Sequence, residues 1–153
     1  MKTLETLIPP PVVALVFAVL MWWLASYDPI IDMDWSLKLG IALVFLLLGM
    51  IFSLSGVLTF RKAKTTVNPK KPHEASTLVN TGIYQLTRNP MYVGLAFGLS
   101  GWAIYLNSLA SLLGVIGYVL YIHGFQILPE ERALIKLFGQ EYEEYKSRVR
   151  RWL

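Results

Sequence analysis

Residues 89–129 read NPMYVGLAFGLSGWAIYLNSLASLLGVIGYVLYIHGFQILP and contain no Asp, Glu, Lys or Arg. A helix crossing a hydrocarbon layer of about 30 Å uses about 20 apolar residues, so this stretch is about twice the length of one crossing. It has to fold back on itself. Asn107-Ser108 is the natural turn, which predicts a helical hairpin with arms at 91–106 and 109–128. The first arm is short for a full crossing.

Two further charge-free stretches lie upstream, at 6–27 and 39–60. The first carries Pro9, Pro10 and Pro11 near its start and Trp22, Trp23 and Tyr27 at its end, where an interfacial aromatic belt would sit. The run following Lys2 has the look of a signal peptide, but Met21, Trp22 and Trp23 make a poor lead-in to a small-residue cleavage site, so a retained span is expected. The second is bounded by Lys38 and Arg61. With 55% hydrophobic residues and a mean hydropathy of +0.50, the 153-residue chain is too apolar for an ordinary soluble domain. The reading is a single integral membrane domain, all-α, with four transmembrane helices.

Orientation follows from the basic residues of the short loops. Residues 61–90 hold Arg61, Lys62, Lys64, Lys70, Lys71 and Arg88, the first loop has Lys38, and the Asn107 turn has none. The long loop and both termini are therefore expected on the cytoplasmic side, and the basic clusters are expected to meet membrane lipids rather than nucleic acid. The net charge of +4 fits juxtamembrane placement equally well. No cysteine is present, which excludes disulfides, thiolate metal sites and cysteine nucleophiles.

After Leu128 the composition turns amphipathic. Pro129 suits a first helical position, Glu130 and Glu131 complement the helix dipole, and Leu134, Phe138, Tyr142, Tyr145, Val149 and Trp152 recur on one face. A cytoplasmic helix over 129–152 is expected to cap the bundle or lie on the membrane surface.

Chemistry-bearing residues gather in the loop before the third span. Arg88 beside a helix begun by Pro90 would suit an anionic group, since the guanidinium and the free N–H groups point the same way. Composition alone favours a blander role for Arg88, anchoring lipid phosphate. Gly94, Gly98 and Gly101 allow close helix approach or leave room for a ligand, and their spacing leaves both open. A tight hairpin would return Glu130 to the neighbourhood of Arg88, Asn89 and Tyr92, at the mouth of an apolar bundle. His123, inside the fourth span, is as well suited to packing as to chemistry, and His73 in the loop has no clear partner. Two isolated histidines make no metal site.

Two motifs, Gly82-x-Tyr84-x-x-x-Arg88-Asn89-Pro90-Met91-Tyr92-x-Gly94 and Glu130-Glu131-x-x-Leu134-x-x-x-Phe138-Gly139-x-x-Tyr142-x-x-Tyr145, resemble those of the isoprenylcysteine carboxyl methyltransferase and phospholipid methyltransferase group. The resemblance covers roughly residues 65–152. It implies an integral membrane methyltransferase that uses S-adenosylmethionine without a Rossmann domain. It further implies that the cofactor lies against Ser76, Thr77, Leu78, Val79, Tyr84, Asn89, Pro90, Met91, Tyr92 and Glu130, and it displaces the lipid-anchor reading of this loop. Asn89 stands where the prenylcysteine enzymes carry His. Gln126 falls where they place an arginine facing the substrate carboxylate, so a substrate contact at Gln126 is expected with a lipid amine or other small amphipathic nucleophile as plausible as a prenylcysteine carboxylate.

Methyl transfer is an in-line displacement, which asks mainly for alignment and exclusion of water. For an amine acceptor Glu131 is the candidate proton acceptor, and Arg88 would orient the cofactor or an anionic substrate group. The acceptor is expected to be lipophilic or amphipathic and to arrive from the bilayer. Two other readings stand beside this one: a membrane reductase of related architecture using a nicotinamide cofactor, and a non-catalytic module whose basic loop binds anionic lipid.

Overall fold

A computed structural model describes residues 7–27, 33–63 and 77–153. Pro10 opens helix α1 (Pro10–Ala25), where its fixed φ and missing N–H cost nothing. Helix α2 (Trp35–Lys62) begins several residues before the apolar stretch because Asp34 caps it, accepting from Ser36 N at 2.9 Å and Leu37 N at 3.1 Å. Arg61 and Lys62 in its last turn complement the dipole. Helix α3 (Pro90–Leu106) ends on Asn107, whose φ of 57° is the left-handed cap that asparagine tolerates better than most residues. That cap turns the expected hairpin into helix α4 (Ser111–Ile122).

Past α4 the structure departs from the expected boundary. Helicity does not restart at Pro129; it runs unbroken from Ser111 to Phe138. Between α4 and helix α5 (Leu128–Phe138) lies a π-helical turn, His123–Ile127. Pro129 has no N–H to donate, and its ring crowds the preceding carbonyls, so the widened turn is where the ladder takes up the mismatch. The expected single helix over 129–152 is also divided. Gly139, at φ 51°, breaks it into α5 and helix α6 (Gln140–Arg148), a conformation costly for any residue with a Cβ.

Helix α3 is the centre of the bundle, with α2 along one side and α1 and α4 along the other. Its contact with α2 is backbone against backbone. A Cβ on Gly94 would stand 2.6 Å from Gly49 O, and one on Gly101 would stand 2.9 Å from Ala42 O. Gly94 and Gly101 are thus packing glycines, whereas a Cβ on Gly98 would meet nothing within 4 Å. Gly98 instead opens on an apolar groove of about 540 Å³ between α1, α2 and α3, with Leu15, Leu46 and Trp102 among its walls.

Trp102 Nε1 donates to Ala18 O at 3.0 Å and Ser111 Oγ to Met21 O at 3.2 Å, tying α1 to the hairpin. The core gathers Met21, Tyr118, Ile122 and Ile127, while Leu15, Val19, Leu47, Leu54, Leu113 and Leu120 face outward. Helix α2 and the continuous Ser111–Phe138 helix are long and apolar enough to cross a membrane; α1 and α3 are apolar but shorter. An outward apolar surface of this extent suits a lipid solvent.

Candidate active site

The loop leading to α3 is held in shape by the helices that follow α4. Gly82, at φ 58°, starts a 3₁₀ turn (Gly82–Gln85) close to Thr59 at the end of α2. Tyr84 is buried there, edge-on to Phe60 at 5.2 Å, and its carbonyl accepts from Tyr145 Oη at 2.7 Å. Val79, Tyr84, Tyr142 and Tyr145 form a second apolar cluster joined by Leu78, Leu134 and Phe138. The periodic face read in the tail is therefore the face that clamps the loop.

Beyond Tyr84 the chain meets residues 149–153, which run alongside the start of α3. Arg88 N donates to Arg150 O at 2.9 Å, and Asn89 Nδ2 and Thr87 Oγ1 donate to Arg151 O at 2.9 and 3.2 Å. The same Thr87 hydroxyl accepts from Asn89 N at 3.2 Å. Arg88 Nη2 reaches Glu131 Oε1 at 2.8 Å, and its Nη1 donates to Lys146 O at 3.3 Å. Arg151 takes both oxygens of the same carboxylate, with Nε to Oε1 at 2.8 Å and Nη2 to Oε2 at 2.7 Å. Arg151 Nη1 also lies 3.4 Å from His123 Nε2. One nearly buried carboxylate thus joins the loop, α5 and the tail.

The neighbouring carboxylate is in a different state. Glu130 is half-buried and accepts from Tyr92 Oη at 2.6 Å. Both acidic residues lie past the end of the apolar stretch. Burial pushes the Glu130 carboxyl up to about 8, opposed by the Tyr92 hydrogen bond and reinforced by the charge of Glu131. Burial acts on Glu131 in the same sense, but the Arg151 hydrogen bond and the charges of Arg88, Arg151 and Lys146 outweigh it and hold that carboxyl below its ordinary value. Adjacent carboxyls are thereby driven apart, one towards neutrality and one towards permanent charge.

Most residues singled out from sequence meet at this mouth. Pro90 and Met91 press their side chains on Gly56 of α2, Asn89 and Arg88 bind the tail, and Tyr92 pairs with Glu130. Thr77 is exposed, Leu78 half-buried and Val79 buried; Ser76 lies outside the described residues. Gln126 is wholly buried in the π-helical turn, and its Nε2 donates to Ile8 O at 2.7 Å. Three contributors escaped sequence reading: Thr87, Arg151 and the hydroxyl of Tyr145. A nearly buried Glu131 demands more cation than Arg88 alone, and that demand was the available signal for Arg151. Among the described residues no three His, Cys, Asp or Glu side chains gather as a metal site.

Comparison with known proteins places the chain in a family. The family model for phospholipid methyltransferase matches residues 36–141. An uncharacterized protein of Haemophilus influenzae is 46% identical over 63 residues, covering 41% of this chain and all of that protein. Protein-S-isoprenylcysteine O-methyltransferase of Xenopus laevis is 29% identical, over 80% of this chain and 42% of its own length. Methanethiol S-methyltransferase of Pseudomonas deceptionensis is 29% identical, over 88% of this chain and 53% of its own. The chain spans about half the length of these two enzymes. No solved structure matches it. The motifs, the apolar helices and the family match lead to one conclusion: this is a membrane protein that belongs to the phospholipid methyltransferase family.

Proposed function

We propose that this chain is an integral membrane methyltransferase that takes its methyl group from S-adenosylmethionine and gives it to a lipophilic or amphipathic acceptor arriving from the bilayer. The observation that carries the reading is the 2.6 Å bond from Tyr92 to Glu130, at the place where the start of α3 meets α5. A carboxyl raised to about 8 by burial is one whose charged form a cationic ligand would stabilise. S-adenosylmethionine carries positive charge on its sulfonium and its ammonium, and it supplies an electrophilic methyl. Glu130 and Tyr92 would hold positive charge, and Tyr84, Val79, Leu78, Thr77, Asn89, Pro90 and Met91 would line the remainder of the cofactor site.

Arg88 and Glu131 take a positioning role in this reading. Both oxygens of Glu131 are engaged by guanidinium groups, so it is a poor proton acceptor, and the two terminal nitrogens of Arg88 bind Glu131 and the Lys146 carbonyl, leaving only its Nε without a partner among the described residues. Together they keep α5 against the loop, and alignment is the main demand of a displacement at a methyl carbon.

The topology proposed with it has four crossings, by α1, α2, α3 and the continuous helix that begins at Ser111, the last leaving the bilayer near Leu128, with residues 61–90 and both termini cytoplasmic. The basic loop residues support that orientation. The arrangement of the ends supports antiparallel crossings by α2 and α3: Trp35 meets Tyr105 at 6.1 Å at one end of the bundle, and Gly56 meets Met91 at the other, where Arg88 lies. The groove beside Gly98, open between α1, α2 and α3, supports a lateral path for an apolar acceptor.

Calorimetry of the purified full chain with S-adenosylhomocysteine tests the reading. Saturable binding is expected, with no heat on titration with a reduced nicotinamide cofactor; the reverse pattern defeats it.

A further inference from the structure

The groove beside Gly98 runs where α1 and α2 pack on α3 from two sides. Its volume is about 540 Å³, and its described walls carry no charged side chain. A Cβ on Gly98 would meet nothing within 4 Å, while Leu15 and Leu54 at the rim are 64% and 61% exposed. The indole N–H of Trp102, a wall residue, is already bound to Ala18 O. An apolar space of this kind stays dry, and left unfilled it forfeits dispersion contacts along its lining. In a bilayer the group at hand to fill it is an acyl chain. Gly98 lies about 120° round α3 from Tyr92, so the groove opens on a different face from the Tyr92–Glu130 contact.

The charge below the groove selects the occupant. Leu46 and Leu54 of α2 are walls, and Arg61 follows Leu54 by seven residues, two turns on and within about 20° of the same face. Arg61 is exposed, and so is Lys62 beside it. Thr59 and Phe60 face the Gly82–Gln85 turn, whereas Arg61 stands on the groove's side of the helix. From Leu46 to Arg61 the helix rises about 22 Å. Half of a hydrocarbon core, with the polar region on one side, comes to about 20–23 Å. A chain that ends at Leu46 therefore brings its phosphate to the level of Arg61. The other end of the bundle offers no such match. Lys38 is half-buried there, its Nζ over the Trp35 ring at 4.6 Å and the Tyr105 ring at 5.8 Å, and Asp34 stands one turn away.

We propose that the groove and Arg61 form a site for a resident phospholipid of the cytoplasmic leaflet, with one acyl chain against Gly98 and the phosphate paired with the Arg61 guanidinium. Guanidinium and phosphate match in geometry as well as in charge. The recognised parts are the chain and the phosphate, so the headgroup needs no amine, thiol or carboxylate. This lipid is a ligand of the bundle and not the methyl acceptor. Lys62 adds a second cation, which favours a lipid of net negative charge over a zwitterionic one. An acceptor taking the same lateral path has to displace the resident chain. The inference rests on the four-crossing topology for the choice of leaflet, and not on the methyltransferase reading.

Native mass spectrometry of the full chain, delipidated in detergent and incubated with dioleoylphosphatidylglycerol, reads the site directly. A single lipid is expected to stay on the wild type. Arg61→Gln should lower the bound fraction about fivefold, the effect of losing an exposed charge pair. Dioleoylglycerol, which has the chains without the phosphate, should be retained no better by the wild type than by Arg61→Gln. Gly98→Leu should abolish retention by filling the groove; if that variant does not fold, Leu15→Trp, which fills it from α1, decides. Unchanged retention in Arg61→Gln or in the filled variant overturns the proposal. So does equal retention of dioleoylglycerol, which would make the occupant any apolar chain, and so does a dimer that Gly98→Leu converts to a monomer, which would make it a second copy. No step involves S-adenosylmethionine, so failure here leaves the methyltransferase reading untouched.

Discussion

Arg151 grips both oxygens of Glu131, at 2.8 and 2.7 Å, from a position twenty residues further along the chain. Because Arg88 shares Oε1 of the same carboxylate, the tail, α5 and the loop before α3 are fastened at one point. Arg151→Ala should lower stability by about 1.5–3 kcal/mol, the worth of hydrogen bonds to a charged group. Arg151→Lys should recover only part of that, since an ammonium cannot reproduce the two-pronged contact. Thermal unfolding in detergent reads both, and wild-type stability in the alanine variant would contradict the fastening.

The same joint should be sensitive to acid. The Glu131 carboxyl is lowered from 4.5, so its contribution to stability is complete above that value and is lost as pH falls through the lowered one. Unfolding temperature should therefore drop on acidification below about 4.5. Glu131→Gln, already without the charge, should show a flatter profile across that window.

Glu130 should behave in the opposite sense. Its carboxyl is raised from 4.5 to about 8, so the stability it lends is complete below 4.5 and is lost as pH rises through about 8. A bound cation favours the carboxylate, so binding of S-adenosylmethionine near neutral pH should release a proton, and affinity should climb with pH until about 8. Calorimetry in buffers of differing ionisation enthalpy measures the proton count. Glu130→Gln should abolish the release and weaken binding, and an unaltered count would exclude Glu130 from the site.

Gly94 and Gly98 stand one turn apart and should differ sharply. Gly94→Ala places a Cβ 2.6 Å from Gly49 O and 2.9 Å from Ser53 N, an overpacking expected to cost about 1–3 kcal/mol. Gly98→Ala meets nothing within 4 Å and should leave unfolding unchanged or slightly improved. Equal effects at the two positions would contradict the close α2–α3 contact.

With no native cysteine to interfere, single-cysteine labelling tests the proposed topology. A membrane-impermeant maleimide should label Leu109→Cys in intact cells and Arg61→Cys only after permeabilisation. Both residues are exposed in the wild type. Labelling of both from the same side would defeat the four-crossing arrangement.

Patterning along the chain was enough for the hairpin and its turn. The 89–129 stretch is too long and too apolar for one helix in lipid, and Asn107 is a residue that accepts a left-handed cap. The meeting of Tyr92 with Glu130 followed as well, because a short turn obliges the far ends of the two arms to approach. The π-helical turn was less legible. Pro129 signalled a disturbance, but a proline suits a helix start as readily as a strained interior, and only the packing of Gln126 and Ile127 inside the bundle shows that the helix runs on. Gly139 was visible as a residue type, and its positive φ was not.

Sequence by itself determined the solvent, the helices and the two motifs, since these depend on composition and on spacings short enough to be set by a helix's own geometry. Tertiary structure alone decided what the charges do. Glu130 and Glu131 are chemically near-identical neighbours, yet successive positions on a helix face different directions. One turns to Tyr92 and is pushed up to about 8; the other turns to Arg88 and Arg151 and is held charged. Electrostatic work is set by distance and burial, and both come from chain segments far apart in sequence.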